Sequence, residues 1–406
     1  GARESRTNVY QEGPSRSLRW IDMESVDSDY REASGTTDGR FKTGQDADIV
    51  LSSLGFNRAG GPLLFNHPGG IATDGTALVI ADRNNNRVLI WREAPTSNTP
   101  PDLVLGQPDF LQNEPGTASD QMNWPISVEF AGSRLLVADT YNHRILVWNG
   151  IPESSGAPAD LVIEGLSSSG RSTWIPGGGT VTAGRFAWPW GLWSDGDRLV
   201  LSSTGTREVL IWNSFPRTGR EDPDVRLRSR GIGTPRSITS DGETLMVGDH
   251  NASQSGTPGG GDSGIWVWTQ FPTSSRSPDF FIESGERSPV WLQGMFADDG
   301  TLFLADRNLK RWNGVPTSAT RPPDVVFEAM AGHFDGGDGV DMVQVGERMY
   351  LLDPNGNKIL GFNQVPSRSG TKPDFAVGAP RSNADTLADH FLQTNPEPAT
   401  DGRGLF

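Results

Sequence analysis

Short apolar bursts run along this chain in groups of four, each burst bounded by Gly, Asn, Asp or Pro. In the first full group they fall at residues 70–73, 77–81, 87–92 and 102–105. Apolar runs of that length between turn formers are the pattern of β-strands. Thr73-Asp74-Gly75 supplies a hairpin turn, because Asp and Gly tolerate positive φ. The Asn-rich run from Arg83 to Arg87 supplies a second turn. The group therefore predicts one small sheet of four antiparallel strands.

That group recurs six times between about residues 65 and 380. Trp91, Trp148, Trp212, Trp268 and Trp312 hold one place in five copies, and Phe362 holds it in the sixth. Each copy then has a Pro followed by an Asp: Pro95 and Asp102, Pro152 and Asp160, Pro216 and Asp224, Pro272 and Asp279, Pro316 and Asp324, Pro366 and Asp374. A unit of roughly 45 to 65 residues that repeats is the mark of stacked or radially arranged units. Four antiparallel strands repeated about an axis make a β-propeller, an all-β fold. A parallel solenoid is the competing architecture, but its coils are shorter and less hairpin-like.

The repeat resembles the NHL-repeat family of propellers. The resemblance is carried by Gly70-Ile71-Ala72-Thr73-Asp74, by Val79-Ile80-Ala81-Asp82 and by Asn86-Arg87-Val88-Leu89-Ile90-Trp91. It returns as Leu136-Val137-Ala138-Asp139 with Asn142-His143-Arg144-Ile145, and as Leu302-Phe303-Leu304-Ala305-Asp306. Three copies depart from it. The third has Ser202-Ser203 in place of Ala-Asp, the fourth carries a Gly/Ser-rich insertion over residues 251–263, and the sixth lacks the Pro that opens the other inner strands.

The chain ends look like halves of one more blade. Asp48-Ile49-Val50-Leu51 matches outer strands such as Asp102-Leu103-Val104-Leu105, while residues 399–406 repeat the inner-strand pattern of residues 72–75. The expected organisation is an N-terminal segment, residues 1–45, with a strand near Val9-Tyr10 and a long insertion, then a propeller over residues 46–406. Seven blades are favoured, the last assembled from residues 46–52 and 395–406; six blades with appended tails is the alternative. Terminal strands that close a blade within one chain could also complete a neighbour's, which would propagate as a filament.

Composition agrees with a repeat protein rich in turns. There are 50 Gly and 29 Pro among 406 residues, with 34% hydrophobic residues. A single ordinary core stops growing at roughly 250 to 300 residues, a limit that stacked units escape. The formal charge of −15 disfavours nucleic acid as a partner. The basic stretch from Arg226 to Arg236 is read as an anion site or as a solvated strand edge. Without Cys, disulfides and thiolate chemistry are excluded, and no apolar run reaches the roughly 20 residues of a membrane span. The start at Gly1 without Met suggests processing, hence a secreted, periplasmic or cell-surface protein.

By the family resemblance, one face around the central channel carries His67, Arg83, Trp124, Tyr141, His143, Trp188, Trp190, His250, Arg307 and Trp291. Rings at a channel mouth can hold sugars, peptides or flat ligands by stacking; packing between blades is the favoured reading of Trp124 and Trp188, which precede a structural Pro. Some NHL-like propellers are lyases, among them zinc-dependent peptidyl-hydroxyglycine amidating lyases and the streptogramin-lyase group. Here His67, His143, His250, His333 and His390 lie on different blades with no local metal motif. The repeated acids Asp82, Asp139, Asp249, Asp306 and Asp353 read as turn caps, since a group present once per blade serves the architecture. Asp335, Asp338 and Asp341 form the densest acidic cluster, with a spacing suited to a hard cation such as calcium or to solvated loop carboxylates. No cofactor is required; zinc and calcium are the metals these side chains would suit.

These features point to an exported, non-catalytic propeller acting as an interaction, surface or assembly scaffold, with a protein partner or itself as the partner. A lyase or hydrolase with a site at the channel mouth, and a carbohydrate- or peptide-binding module on blades two and three, are the other functions that fit.

Overall fold

The protein's computed structural model describes residues 8–11, 19–22, 59–165, 185–254, 261–284 and 292–384. Near the N-terminus β1 (Asn8–Gln11) pairs antiparallel with β2 (Arg19–Asp22) in a two-stranded sheet of its own. The six sequence repeats then become six four-stranded antiparallel blades. Blade one is β3 (Ile71–Ala72), β4 (Leu78–Asp82), β5 (Arg87–Trp91) and β6 (Leu103–Leu105). Blade two is β7 (Pro125–Ala131), β8 (Arg134–Asp139), β9 (Arg144–Trp148) and β10 (Leu161–Glu164). Blade three is β11 (Pro189–Ser194), β12 (Leu199–Ser203), β13 (Glu208–Trp212) and β14 (Val225–Leu227). Blade four is β15 (Pro235–Ser240), β16 (Leu245–Ala252), β17 (Asp262–Trp268) and β18 (Phe280–Glu283). Blade five is β19 (Gln293–Phe296), β20 (Leu302–Ala305), β21 (Leu309–Trp312) and β22 (Val325–Val326). Blade six is β23 (Asp341–Val345), β24 (Arg348–Asp353), β25 (Lys358–Phe362) and β26 (Phe375–Val377).

The second strand of each blade, and the third strand of most, carry long apolar runs because both faces are covered; in blade five the third strand is Leu309-Lys310-Arg311-Trp312, with only its ends buried. Leu78, Val79, Ile80 and Ala81 are fully buried, as are their counterparts in the other blades. The core is thereby divided into six clusters, one at each junction between neighbouring blades. A blade alone would expose both faces, so stability comes from the stack rather than from any single sheet.

The periodic Trp and Asp residues fix the connection from the third strand to the fourth. The indole N–H groups of Trp91, Trp148, Trp212, Trp268 and Trp312 donate to the carbonyls of Thr99, Ala157, Glu221, Arg276 and Arg321 at 2.8–3.2 Å. The partner Asp accepts the backbone N–H just after the Trp, as with Asp102 and Arg92 at 2.8 Å, and Asp374 does the same for Asn363 in the sixth blade. Phe362 keeps the burial of that position and gives up the indole donor.

Six blades close the ring, which corrects the favoured count of seven. Blade six packs directly on blade one: Tyr350, Leu352, Ile359 and Val377 share a cluster with Ile71, Leu78, Leu89 and Trp91. The seam is also tied by polar contacts. Asp341 Oδ2 accepts the N–H of Ile71 at 3.1 Å and Asn357 Oδ1 that of His67 at 2.6 Å. Tyr350 donates its hydroxyl to Pro95 O at 3.0 Å, and Asn98 Oδ1 accepts Gly378 N–H at 2.9 Å. No gap is left between blades six and one for a seventh. The expected closing segments, 46–52 and 395–406, lie outside the described residues, and Val9 and Tyr10 pair with β2 rather than with a blade.

Candidate functional site: the mouth of the axial channel

The inner strands β3, β7, β11, β15, β19 and β23 surround a cavity of about 210 Å³ on the axis. The repeated acids hold the approach to it in place. Asp82 accepts Asn66 N–H at 2.7 Å and Arg87 Nε at 2.7 Å; Asp139 does the same for Asn123 and Arg144. Asp249 accepts Gly233 and Thr234 N–H and the Trp266 indole. In these three blades the acid thus ties the segment entering the inner strand to the end of the second strand. In the third blade Ser203 substitutes for the carboxylate, bonding Ala187 N–H and O at 3.1 Å. Its neighbour Ser202, fully buried, accepts Gly191 N–H and donates to Arg236 O, so the singular serine pair is consumed by packing.

Fifteen residues before the repeated acid, or before Ser203 in blade three, comes the rim position: His67, Trp124 and Trp188 in blades one to three, Thr234 in blade four and Asp338 in blade six. His67, Trp124 and Trp188 adopt left-handed backbone, with φ of 51°, 58° and 54°. That conformation is rare for bulky residues and is retained only where surroundings enforce it. Here the enforcement is a strap from the preceding blade. Asn357 accepts His67 N–H, Asn86 Oδ1 accepts Trp124 N–H at 2.8 Å, and His143 Nδ1 accepts Trp188 N–H at 3.0 Å. The strap residues are left-handed themselves. His143 is thereby a buried neutral acceptor, its pKa lowered by burial, and belongs to the architecture of the rim.

The rim is asymmetric. On blades two and three, Trp124, Tyr141, Trp188 and Trp190 form an aromatic cluster. Tyr141 lies parallel to Trp124 at 4.7 Å and 7°, and to Trp188 at 5.6 Å and 23°. Trp190 stands edge-on to Trp124 at 5.5 Å. Trp188 and Trp190 are buried, Trp124 is half-buried and Tyr141 is 44% exposed. On the other side Asp338 pairs with Arg83 at 3.2 Å and with His67 at 3.4 Å. Two guanidinium groups join the walls. Arg83 sits 4.9 Å over Trp124, and Arg236 sits 3.8 Å over Trp190, a favourable cation–π geometry. Burial lowers the Arg236 pKa to about 10, while the Asp338 and Asp249 carboxylates pull it back up. His250 lies beside it and is lowered by burial and by the Arg236 charge.

Below the rim, Glu129 and Asp341 line the channel. Asp341 joins three blades: besides Ile71 N–H it accepts Gln293 Nε2 at 2.9 Å and its neighbour Met342 N–H at 2.8 Å. Burial still pushes it up to about 7. Burial pushes Glu129 up to about 8, against the pull of the Phe130 N–H, and the Asp341 charge adds to the rise. Both side chains keep some surface toward the channel.

The expected calcium loop does not gather its carboxylates. Asp335 is exposed with its N–H held by Asp353, Asp338 serves the rim and Asp341 the seam, because residues three apart on this irregular segment face different elements. The histidines disperse likewise: His67 meets Asp338, His143 straps Trp188, His250 lies by Arg236 and His333 Nδ1 pairs with Ser382 Oγ at 2.8 Å. Among the described residues no three His, Cys, Asp or Glu are grouped to hold a metal. Arg307 is exposed in its turn; Trp291 and His390 lie outside the described residues. In the basic stretch Arg226 and Arg228 both pair with Glu208. Glu129 was not anticipated, while Asp338, expected in the acidic cluster, and Arg236, expected at the end of the basic stretch, join the channel mouth instead. Aligning the blades on the repeated acid places Asp338 at the rim position and Arg236 at the position equivalent to Trp190 on the neighbouring blade.

The fold and the rim define a six-bladed β-propeller with an aromatic cluster at the channel mouth. No protein-family model matches the chain, and no curated protein does. Among solved structures it is similar to a selenomethionine-substituted virginiamycin B lyase from Staphylococcus aureus, at 11% identity and a TM-score of 0.35, over 73% of this chain and 82% of that one. No helix among the described residues is long and apolar enough to cross a membrane.

Proposed function

We propose that this propeller is a non-catalytic binding module that takes a carbohydrate ring at the channel mouth. The observation that carries the reading is the half-buried Trp124 indole in the aromatic cluster of the mouth, on a rim that also carries the partly exposed hydrogen-bonding pair Asp338 and His67. A sugar has an apolar C–H face that stacks on such rings and hydroxyls that need paired donors and acceptors. The local charges balance, Arg83 and Arg236 against Asp338 and Asp249, which suits a neutral ligand. A place outside the cytoplasm and kinship with NHL-type propellers go with this reading.

The test is retention of the protein on a panel of neutral oligosaccharides, followed by calorimetry with Trp124→Ala. A loss of at least about tenfold is expected, the scale of a stacking anchor, with circular dichroism unchanged. Failure of every saccharide to retain the protein, or equal binding by the variant, would refute it. A second reading, acid–base chemistry, is favoured by one observation: Glu129 and Asp341 share the channel with pKa values raised to about 8 and about 7. Turnover of a bound saccharide that Glu129→Gln abolishes would shift the conclusion to it.

A further inference from the structure

The turn after the second strand of each blade has a second residue past the repeated acid or Ser203. In five blades it is small or polar: Asn84, Gly205, Asn251, Asn308 and Asn355. In blade two alone it is Tyr141. Architecture needs no ring there, since five blades do without one.

Tyr141 covers two indoles at once. Its ring is parallel to Trp124 and to Trp188 at 4.7 and 5.6 Å, while those two are 5.9 Å apart. Three such separations place the phenol as a roof over a neighbouring pair, not as the end of a single column. Trp124 also packs against the Arg83 guanidinium and edge-on against Trp190. The faces that Tyr141 covers are therefore the ones a ligand could use.

The roof is held loosely on a rigid base. The turn carrying it is fixed by Thr140 Oγ1 donating to Pro189 O at 2.8 Å, by Asn142 Nδ2 donating to Gly116 O and Asp139 at 2.8 Å, and by Tyr141 N–H donating to Asn123 O at 3.2 Å. The phenol itself makes no hydrogen bond with the described residues and is 44% exposed. Among the described residues stacking is what holds it, and a side-chain rotation about a fixed backbone would lift it.

We propose that Tyr141 occupies, in the free protein, the stacking place that the ligand's ring takes, and swings out when the ligand binds. It is an internal competitor that sets affinity and selects rings able to replace it on both indoles. This rests on the carbohydrate reading above and adds to it the identity of the gate.

Calorimetry compares the wild type with Tyr141→Ala, Tyr141→Phe and Trp124→Ala, using the tightest saccharide from the neutral panel. Acrylamide quenching of Trp fluorescence without ligand is measured alongside. Tyr141→Ala is expected to bind about three- to tenfold tighter, the range set by one or two aromatic contacts no longer displaced, and to show more quenchable, red-shifted emission. Tyr141→Phe is expected to match the wild type, because the hydroxyl has no partner. Weaker binding by Tyr141→Ala, with Trp124→Ala also weakened, would make Tyr141 part of the platform and overturn the gate while leaving the sugar site standing. Unchanged binding by Trp124→Ala would overturn the site itself. Lack of binding by wild type and Tyr141→Ala alike would overturn both, and unchanged quenching in Tyr141→Ala would show that the roof does not cover the indoles.

Discussion

Replacing Glu129 by Gln should change how stability depends on pH. The Glu129 carboxyl has its pKa pushed up to about 8 by burial, against an ordinary 4.5. Below the ordinary value the group is protonated in folded and unfolded chains alike and costs nothing. As pH rises from there toward 8, the unfolded chain releases the proton while the folded chain keeps it, so stability falls. Above 8 the loss is complete and flat. Linkage converts such a gap to about 5 kcal/mol for a sealed site. Glu129 borders the channel and keeps some surface there, so about 2 kcal/mol is the realistic scale. Gln retains an oxygen for the Phe130 N–H, held at 2.8 Å, and carries no titrating proton. Denaturant unfolding at pH 4.5, 6, 7.5 and 9 should therefore show Glu129→Gln close to the wild type at the acid end and about 2 kcal/mol more stable at the alkaline end. The difference between the two proteins cancels the general effect of the −15 charge. Parallel profiles, or a variant that loses ground as pH rises, would refute the assignment of a proton to the folded channel.

Two further outcomes test the ring. Asp341→Ala removes an acceptor used by Ile71, Gln293 and Met342 on three blades; leaving such buried donors unpaired should cost about 2–4 kcal/mol, read as a fall in the denaturation midpoint, and a change below about 0.5 kcal/mol would mean the seam does not depend on it. Truncation after Ala384 should leave the melting temperature within about 1 °C of the full chain, the shift that about 1 kcal/mol causes in a chain of this length, because six blades already close; a large drop, or new aggregation, would restore a structural role to residues 385–406.

The blade was legible because what defines it is local. Residues 70–105 announce four strands and their turns, and blade one contains them within a residue or two. The periodic Asp residues serve the architecture, but the expected turn cap forms only at Asp249, Asp306 and Asp353; Asp82 and Asp139 instead hold the segment before the inner strand, at Asn66 and Asn123. Blade number was less legible. Asp48–Leu51 resembles an outer strand in sequence, but likeness between segments does not say whether the ring has room for them. The site was legible in part: Trp124, Tyr141, Trp188, Trp190 and His67 do meet at the mouth. His143 turned inward to strap its neighbour, and the aspartates of residues 335–341 separated.

What the sequence determined by itself was the repeated sheet, its turns and the need for neighbours, because strand and turn preferences act over a few residues and each blade has two apolar faces to cover. What only the tertiary structure decided was how many blades close the ring and which side chains share its mouth. The contacts that settle both join residues far apart in the chain: Ile71 to Asp341 across 270 positions and His67 to Asn357 across 290. Such pairings depend on the summed rotation of six packed blades, a quantity that no local pattern carries.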